Sequence, residues 1–221
     1  MSLANGPSLA LAVSPVSPTN MEATRKQGTV NFPLQVSRLK SMVQMHRCTE
    51  VVKAAVTPTD LKRGLPPIAR ADAKLLILGS LPGDASLAAA QYYAHPRNHF
   101  WELLGGVIGQ NLNSMDYSDR ITAVQESGIA LWDVIGSAHR AGSLDHHIRN
   151  EQLNDLRHFA KSLPELRAVA FNGKKAGSFA GDAFDGMPFT VLHLPSSSPA
   201  YTLPRDAKAV LWARLTQFVS L

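Results

Sequence analysis

Leu75-Leu-Ile-Leu-Gly-Ser-Leu-Pro-Gly83 is an uninterrupted apolar run that stops in a turn of Gly, Ser and Pro. Apolar residues without alternation suit a strand buried on both faces, and the Gly-Pro turn ends it. In an open α/β sheet, the loops outside the carboxyl ends of the strands carry the ligand site. Gln91-Tyr-Tyr-Ala-His-Pro-Arg-Asn-His-Phe-Trp101 follows closely. It combines two aromatics, a proline-held turn and an Asn at the mouth of an amphipathic segment. A rigid loop, a flat ring and a neutral amide together suit a pocket for a flat heterocycle. Val191-Leu-His-Leu-Pro-Ser-Ser-Ser-Pro-Ala200 repeats the strand-to-loop pattern near the end of the chain.

Outward from these segments, strands alternate with helices. Leu65-Pro-Pro-Ile-Ala69 reads as an extended lead-in. Asn98 to Val107 carries Phe100, Leu103, Leu104 and Val107 at the spacing of a core-facing helix. A second helix is predicted over Asp119 to Glu126, with Ser118 as N-cap and Gly128 past its end. Ile129 to Ile135 reads as a strand. Asn150 is expected to cap a third helix that has Leu153, Leu156, Ala160 and Leu163 on one face. Ala168 to Asn172 is the next strand, Gly173 to Ala176 opens a short helix, and Phe189 to Leu194 is the last strand. Pro204 starts a final helix, with Leu211, Leu215 and Phe218 expected to face inward. The pattern predicts an α/β domain, a three-layer α/β/α sandwich around a small, mostly parallel four-stranded sheet. Its functional loops are expected at Gly79–Gly83, Asp133–Gly136, Asn172–Lys175 and Pro195–Pro199, all at strand carboxyl ends.

The chain has 221 residues and 45% hydrophobic content, enough for one ordinary core plus a tail. Residues 1–60 read as a disordered N-terminal tail and residues 61–221 as the domain. Ser2 to Asn20 has no charged side chain, so it lacks the basic start of a signal peptide. Organelle targeting and a later start at Met21, Met42 or Met45 are the competing readings of this tail. Leu34 to Val56 has the pattern of a short amphipathic helix. Net charge is +5, yet residues 61–221 hold 16 Lys/Arg against 14 Asp/Glu. Their balance is compatible with nucleic-acid binding without arguing for it. Cys48 is the lone cysteine, so no disulfide within the chain and no cysteine cluster for zinc or iron–sulfur is available. An intracellular, cytoplasmic location is expected, and no apolar run reaches the ~18 residues of a membrane span.

The three segments together resemble the uracil-DNA glycosylase superfamily, most closely its DNA-deoxyinosine (hypoxanthine-DNA) glycosylase branch. Gly79-Ser-Leu-Pro-Gly83 stands where the superfamily has its first motif, Gly-x-x-Pro-Gly. Leu194-Pro-Ser-Ser-Ser-Pro-Ala200 stands where it has its second. Tyr93-Ala-His-Pro-Arg-Asn-His-Phe-Trp101 is similar to the Ala-His-Pro-x-Asn-x-Phe-Trp run of mismatch-specific uracil glycosylases. The resemblance covers Leu65 to the C-terminus. It implies a monofunctional DNA glycosylase of base excision repair that hydrolyses the N-glycosidic bond of deoxyinosine. Its partner would be DNA carrying a deaminated base, with no cofactor, no metal, no membrane and no obligate protein partner, and the protein a monomer. The alternatives are a uracil or thymine mismatch glycosylase and a catalytically silent nucleic-acid binder of the same fold. A nucleotide-binding α/β protein ranks last, for want of a phosphate-loop signature.

The resemblance also distributes roles. Tyr93 is the expected stacking ring for the flipped base, although Tyr92 competes for that position. Ser80 departs from the Asn or Asp that many superfamily members carry there to orient the attacking water. Asn98 is the substitute expected from the branch, its carbonyl holding the water. A plain helix N-cap is the competing reading of Asn98. Gly79, Ser80, Leu81, Pro82 and Gly83 are expected to line the base pocket, their backbone N–H groups meeting charge on the leaving base. Asn172 is expected to read the purine edge or to cap a turn. Ser196, Ser197, Ser198 and Pro199 would press the DNA backbone, and Arg97, Lys174, Lys175 and Arg205 would meet phosphates. His95 and His99 have the spacing of a zinc pair, but Pro96 lies between them and no third ligand follows. His193 is expected to point to the far face of its strand.

Overall fold

The computed structural model describes residues 60–219. The tail up to Thr59, with Cys48 and the amphipathic segment read over Leu34 to Val56, lies outside the described residues. Four strands form the central sheet: β2 (Leu75–Gly79), β3 (Ile129–Asp133), β6 (Ala168–Asn172) and β7 (Thr190–Leu194). Their order is β3-β2-β6-β7, and every neighbouring pair is parallel. The chain leaves β2 to one side for β3, then crosses to the other side for β6 and β7. The crevice between the ends of β2 and β6 is therefore the switch point of this sheet.

Successive side chains of a strand point to opposite faces, and here each face has its own core. Leu75, Ile77, Ile129, Leu131, Ala168 and Ala170 pack into one cluster; Leu76, Leu78, Ala130, Val169 and Phe171 pack into the other. The first cluster is closed by α2 (Phe100–Ile108), α3 (Tyr117–Glu126) and α6 (Arg205–Trp212). α4 (Leu156–Lys161) and α5 (Lys174–Ala180) close the second. This is the three-layer α/β/α arrangement expected from the apolar runs. Ile68 in the lead-in bridges antiparallel to Leu131, which extends the buried edge of β3.

Several local expectations give way. A second, antiparallel sheet of order β1-β4-β5 is built from β1 (Leu61–Arg63), β4 (Ile135–His139) and β5 (Arg149–Leu153). The strand expected over Ile129 to Ile135 thus splits after Asp133, and Ile135 starts the new sheet. Asn150 does not cap a helix. It sits in β5 with φ +50°, and Leu153 is exposed on that strand. The cap of α4 is Asp155, whose side chain accepts the His158 N–H at 3.0 Å. Ser118 lies inside α3, which opens at Tyr117 behind Asp116. α1 (Asp84–Ala89) directly follows the Gly-Pro turn and was not foreseen. In α6 the inward positions are Lys208 and Trp212, both fully buried, while Leu211 is exposed. The next turns bury Leu215 and pack Phe218 against the same cluster. Among the described residues no helix is long and apolar enough to cross a membrane.

Candidate active site

A cavity of about 680 Å³ opens at the carboxyl ends of β2, β3, β6 and β7. It gathers Gly79, Ser80, Leu81, Pro82, Gly83, Tyr93, Arg97, Asn98, Asn172, Ser196, Ser197, Ser198 and Pro199. Lys174 and Arg205 are the predicted site residues that do not reach it. Lys174 is exposed on the first turn of α5, and its neighbour Lys175 lines the cavity instead, held over the Phe179 ring at 5.1 Å. Arg205 is likewise absent from the lining and is engaged by Glu102 and Asp206.

The turn after β2 is fastened through its carbonyls. Gly79 O accepts from Val134 N and Ser80 O from Ile135 N, at 2.9 and 3.0 Å. Buried Arg140 reaches across to Leu81 O at 3.1 Å and also binds Pro82 O. Gly83 O accepts the first intrahelical bond of α1, from Leu87 N at 3.0 Å. A peptide N–H points opposite to the carbonyl of its own plane. The Leu81 and Gly83 N–H groups are thus directed away from these partners, on residues that line the cavity. Leu81 sends its side chain into the second core cluster, so it contributes backbone to the site.

Tyr92 and Tyr93 divide their tasks. Buried Tyr92 donates its hydroxyl to Leu65 O and Pro66 O, at 3.3 and 3.1 Å, and so anchors the lead-in. Tyr93 stacks on buried Phe100 with ring centroids 3.5 Å apart and planes 12° apart. Its backbone takes φ +53°, an unfavourable region for a bulky residue, tolerated where surrounding structure over-determines it. Burial pushes both phenols well above their ordinary pKa, so both stay neutral hydrogen-bonding groups.

His99, not Asn98, is the N-cap residue of α2, although the Asn98 side chain caps the helix start. Asn98 Oδ1 accepts the Phe100 N–H at 3.0 Å, at the start of α2, while the residue lines the cavity. The amide is thereby fixed in orientation, with one carbonyl lone pair and both amide protons left over. Asn172 is bound at both ends to the second loop. Nδ2 donates to Ser197 Oγ and Oδ1 accepts Ser197 N–H, each at 2.8 Å. Ser197 is buried, so it fastens the loop, whereas Pro199 stands exposed. Lys208 and Trp212 of α6 add donors to the same loop, at Tyr201 O (2.9 Å) and Pro195 O (3.0 Å). His193 points away from the cavity and stacks on Phe171. His95 uses Nδ1 to accept the Arg97 N–H at 3.1 Å.

Three carboxyl groups join the site that the motifs did not name; Asp84, which opens α1, is paired with Lys62 at 2.9 Å. Asp145 lines the cavity and accepts the Ser80 hydroxyl at 2.8 Å. Burial raises its pKa, while that hydrogen bond and the Arg140 charge oppose the rise. Asp133 ends β3, lines the cavity and is 3% exposed. Burial pushes its carboxyl up to about 7, the Arg140 charge opposing and the Asp145 charge adding to the rise. Its position at a strand carboxyl end was a usable signal. Asp145 and Arg140 lay in a stretch with no motif.

Residues 66–216 match the uracil DNA glycosylase superfamily. A hypoxanthine DNA glycosylase of Methanosarcina barkeri is 44% identical over 152 residues, 69% of this chain and 96% of that protein. A hypoxanthine DNA glycosylase of Methanosarcina acetivorans is 41% identical over 140 residues, 63% of this chain and 88% of that protein. The solution NMR structure of a candidate uracil DNA glycosylase from Methanosarcina acetivorans superposes with a TM-score of 0.62 at 38% identity, covering 70% of this chain and 98% of that one.

Proposed function

Since this chain belongs to the uracil DNA glycosylase superfamily, we propose that it is a monofunctional DNA glycosylase releasing hypoxanthine from deoxyinosine and leaving an abasic site. The carrying observation is the single cavity that joins both superfamily motifs to Tyr93 and Asn98. The two hypoxanthine DNA glycosylases aligned over 88% or more of their length support the choice of base.

An enzyme acting on one base of a duplex takes it out of the stack and binds it in a pocket. Tyr93, braced by Phe100, presents a flat ring to that base. The Leu81 and Gly83 N–H groups meet charge developing on the departing base, the usual work of preorganised donors. Asn98 cannot take a proton. Its fixed carbonyl orients water toward C1′, which suffices when the C–N bond breaks early and the sugar becomes oxocarbenium-like. Asn172 holds the loop from Pro195 to Pro199, which presses the DNA backbone through Ser196, Ser198 and Pro199. Arg97 and Lys175 at the rim pair with phosphates. The protein acts as a monomer, without an obligate protein partner.

Labelled duplexes carrying one hypoxanthine, uracil, xanthine or mismatched thymine test this reading. Hypoxanthine release is expected, with little uracil release, and strand scission only after alkali. Asn98→Ala should lose about two orders of magnitude in single-turnover excision while still binding lesion DNA. Robust uracil release without hypoxanthine release would overturn the choice of base. Scission without alkali would overturn monofunctional action and point to Lys175.

A further inference from the structure

Gly79 and Asp133 are register partners at the ends of β2 and β3. A Cβ on Gly79 would lie 2.4 Å from Asp133 Oδ1, so the missing side chain is the space this carboxyl occupies. Asp133 Oδ2 is buried without a well-formed hydrogen bond among the described residues, the Tyr92 hydroxyl giving the carboxyl only partial support. Such a group ordinarily costs free energy, and natural proteins seldom leave one unpaired without a use. The residue that carries it lines the cavity, with 3% of its surface exposed. The motif residues supply neutral donors and an amide; of those able to transfer a proton, the Tyr93 phenol is held far above neutrality by burial and His95 has its Nδ1 occupied by the Arg97 N–H.

We infer that Asp133 is the general acid of this site: its carboxyl delivers a proton to N7 of the bound purine as the C1′–N9 bond breaks. This rests on the proposed function and adds to it the group that makes a purine leave. Hypoxanthine leaving without a proton departs as an anion. With N7 protonated, the electron pair of the C1′–N9 bond passes into the imidazole ring, and the base leaves neutral. Water adds to C1′ and yields its proton to solvent, from which the Asp133 carboxylate is reprotonated. The sum is hydrolysis, balanced in protons and electrons. Uracil has no N7, so the same acid gives no comparable help to a pyrimidine.

The surroundings keep this acid protonated near neutral pH. Tyr92 and Tyr93, ahead of α2, are neutral, and hydrogen bonding from Tyr92 to the Asp133 carboxyl opposes the rise in its pKa. Asp145 faces it with a like charge, and Arg140 after β4 opposes the effect from the side of the β2 turn. Burial dominates, and the carboxyl titrates at about 7, which matches a proton donor to the working pH.

Single-turnover excision on deoxyinosine duplexes, measured against pH, tests the inference with both the wild type and Asp133→Asn. The wild-type rate should fall above neutrality in proportion to the protonated fraction. The variant should be slower by about 10² or more, with a flat profile. A duplex carrying 7-deazahypoxanthine should bind the wild type and resist excision. An alkaline-flat wild-type profile, excision of the 7-deaza base at the hypoxanthine rate, or a folded variant within about threefold of wild type would each overturn the general acid. The pH profile and the 7-deaza substrate need only wild-type protein, so they decide even if the variant does not fold. Failure of the wild type to release hypoxanthine at all would overturn the proposed function instead.

Discussion

Asp133 carries a consequence for stability as well as for chemistry. Its carboxyl titrates at about 7 in the folded protein, against an ordinary value of 3.8. Between those two values the folded state holds a proton that the unfolded state has lost. Stability therefore falls as pH rises through this window. The contribution is fully present below the ordinary carboxylate range and is gone once pH has passed about 7. Asparagine cannot ionise, so Asp133→Asn removes this dependence. Thermal melts at pH 5 and pH 8 should show a larger loss for the wild type than for the variant. Parallel losses would mean that the carboxyl is already ionised in the folded protein.

Among the elements, the loop after β7 depends on its neighbours more than on itself. Asn172 binds Ser197 twice, His99 N–H reaches Ser197 O at 3.1 Å, and Lys208 and Trp212 hold the loop from α6. Gly173 lets β6 and this loop approach. Its φ is +103°, and a Cβ there would stand 2.9 Å from Ser196 Cβ. Alanine at 173 is strained in backbone and crowded in side chain at once. Gly173→Ala should cost more than about 1 kcal/mol in chemical denaturation. It should also lower excision, because the loop it displaces carries Ser196 and Ser198 into the cavity. Unchanged stability together with unchanged excision would show that the loop does not need this close approach.

At the scale of the whole molecule, both faces of the central sheet are covered within residues 60–219. Among the described residues, the two motif loops and the strand ends beside them line the cavity. A chain beginning at Asp60 should therefore fold cooperatively and excise hypoxanthine at the full-length rate. Aggregated product, or a large loss of cooperative unfolding, would show that preceding residues complete the core.

The sequence by itself determined the central sheet and the two motif loops. The signals there are local: apolar runs such as Leu75–Leu78, Ile129–Trp132 and Ala168–Phe171, stopped at once by Gly79, Asp133 and Asn172. It also brought Tyr93 and Asn98 to the site, through their place in one short run. What it left undecided depended on partners remote along the chain. Asn150 and Leu153 share the pattern of a helix start, yet pairing with β4 draws them into a strand. Leu211 reads as a core residue by type, whereas the phase of α6 turns Trp212 and Lys208 inward, where loop carbonyls accept the buried ammonium. The carboxyl groups of the cavity belong to the same class. Asp145 meets Ser80 across 65 residues, and Asp133 becomes an acid near neutrality only because the folded sheet excludes water around it. Charge and protonation are set by burial and by distant neighbours, and those exist only in the tertiary structure.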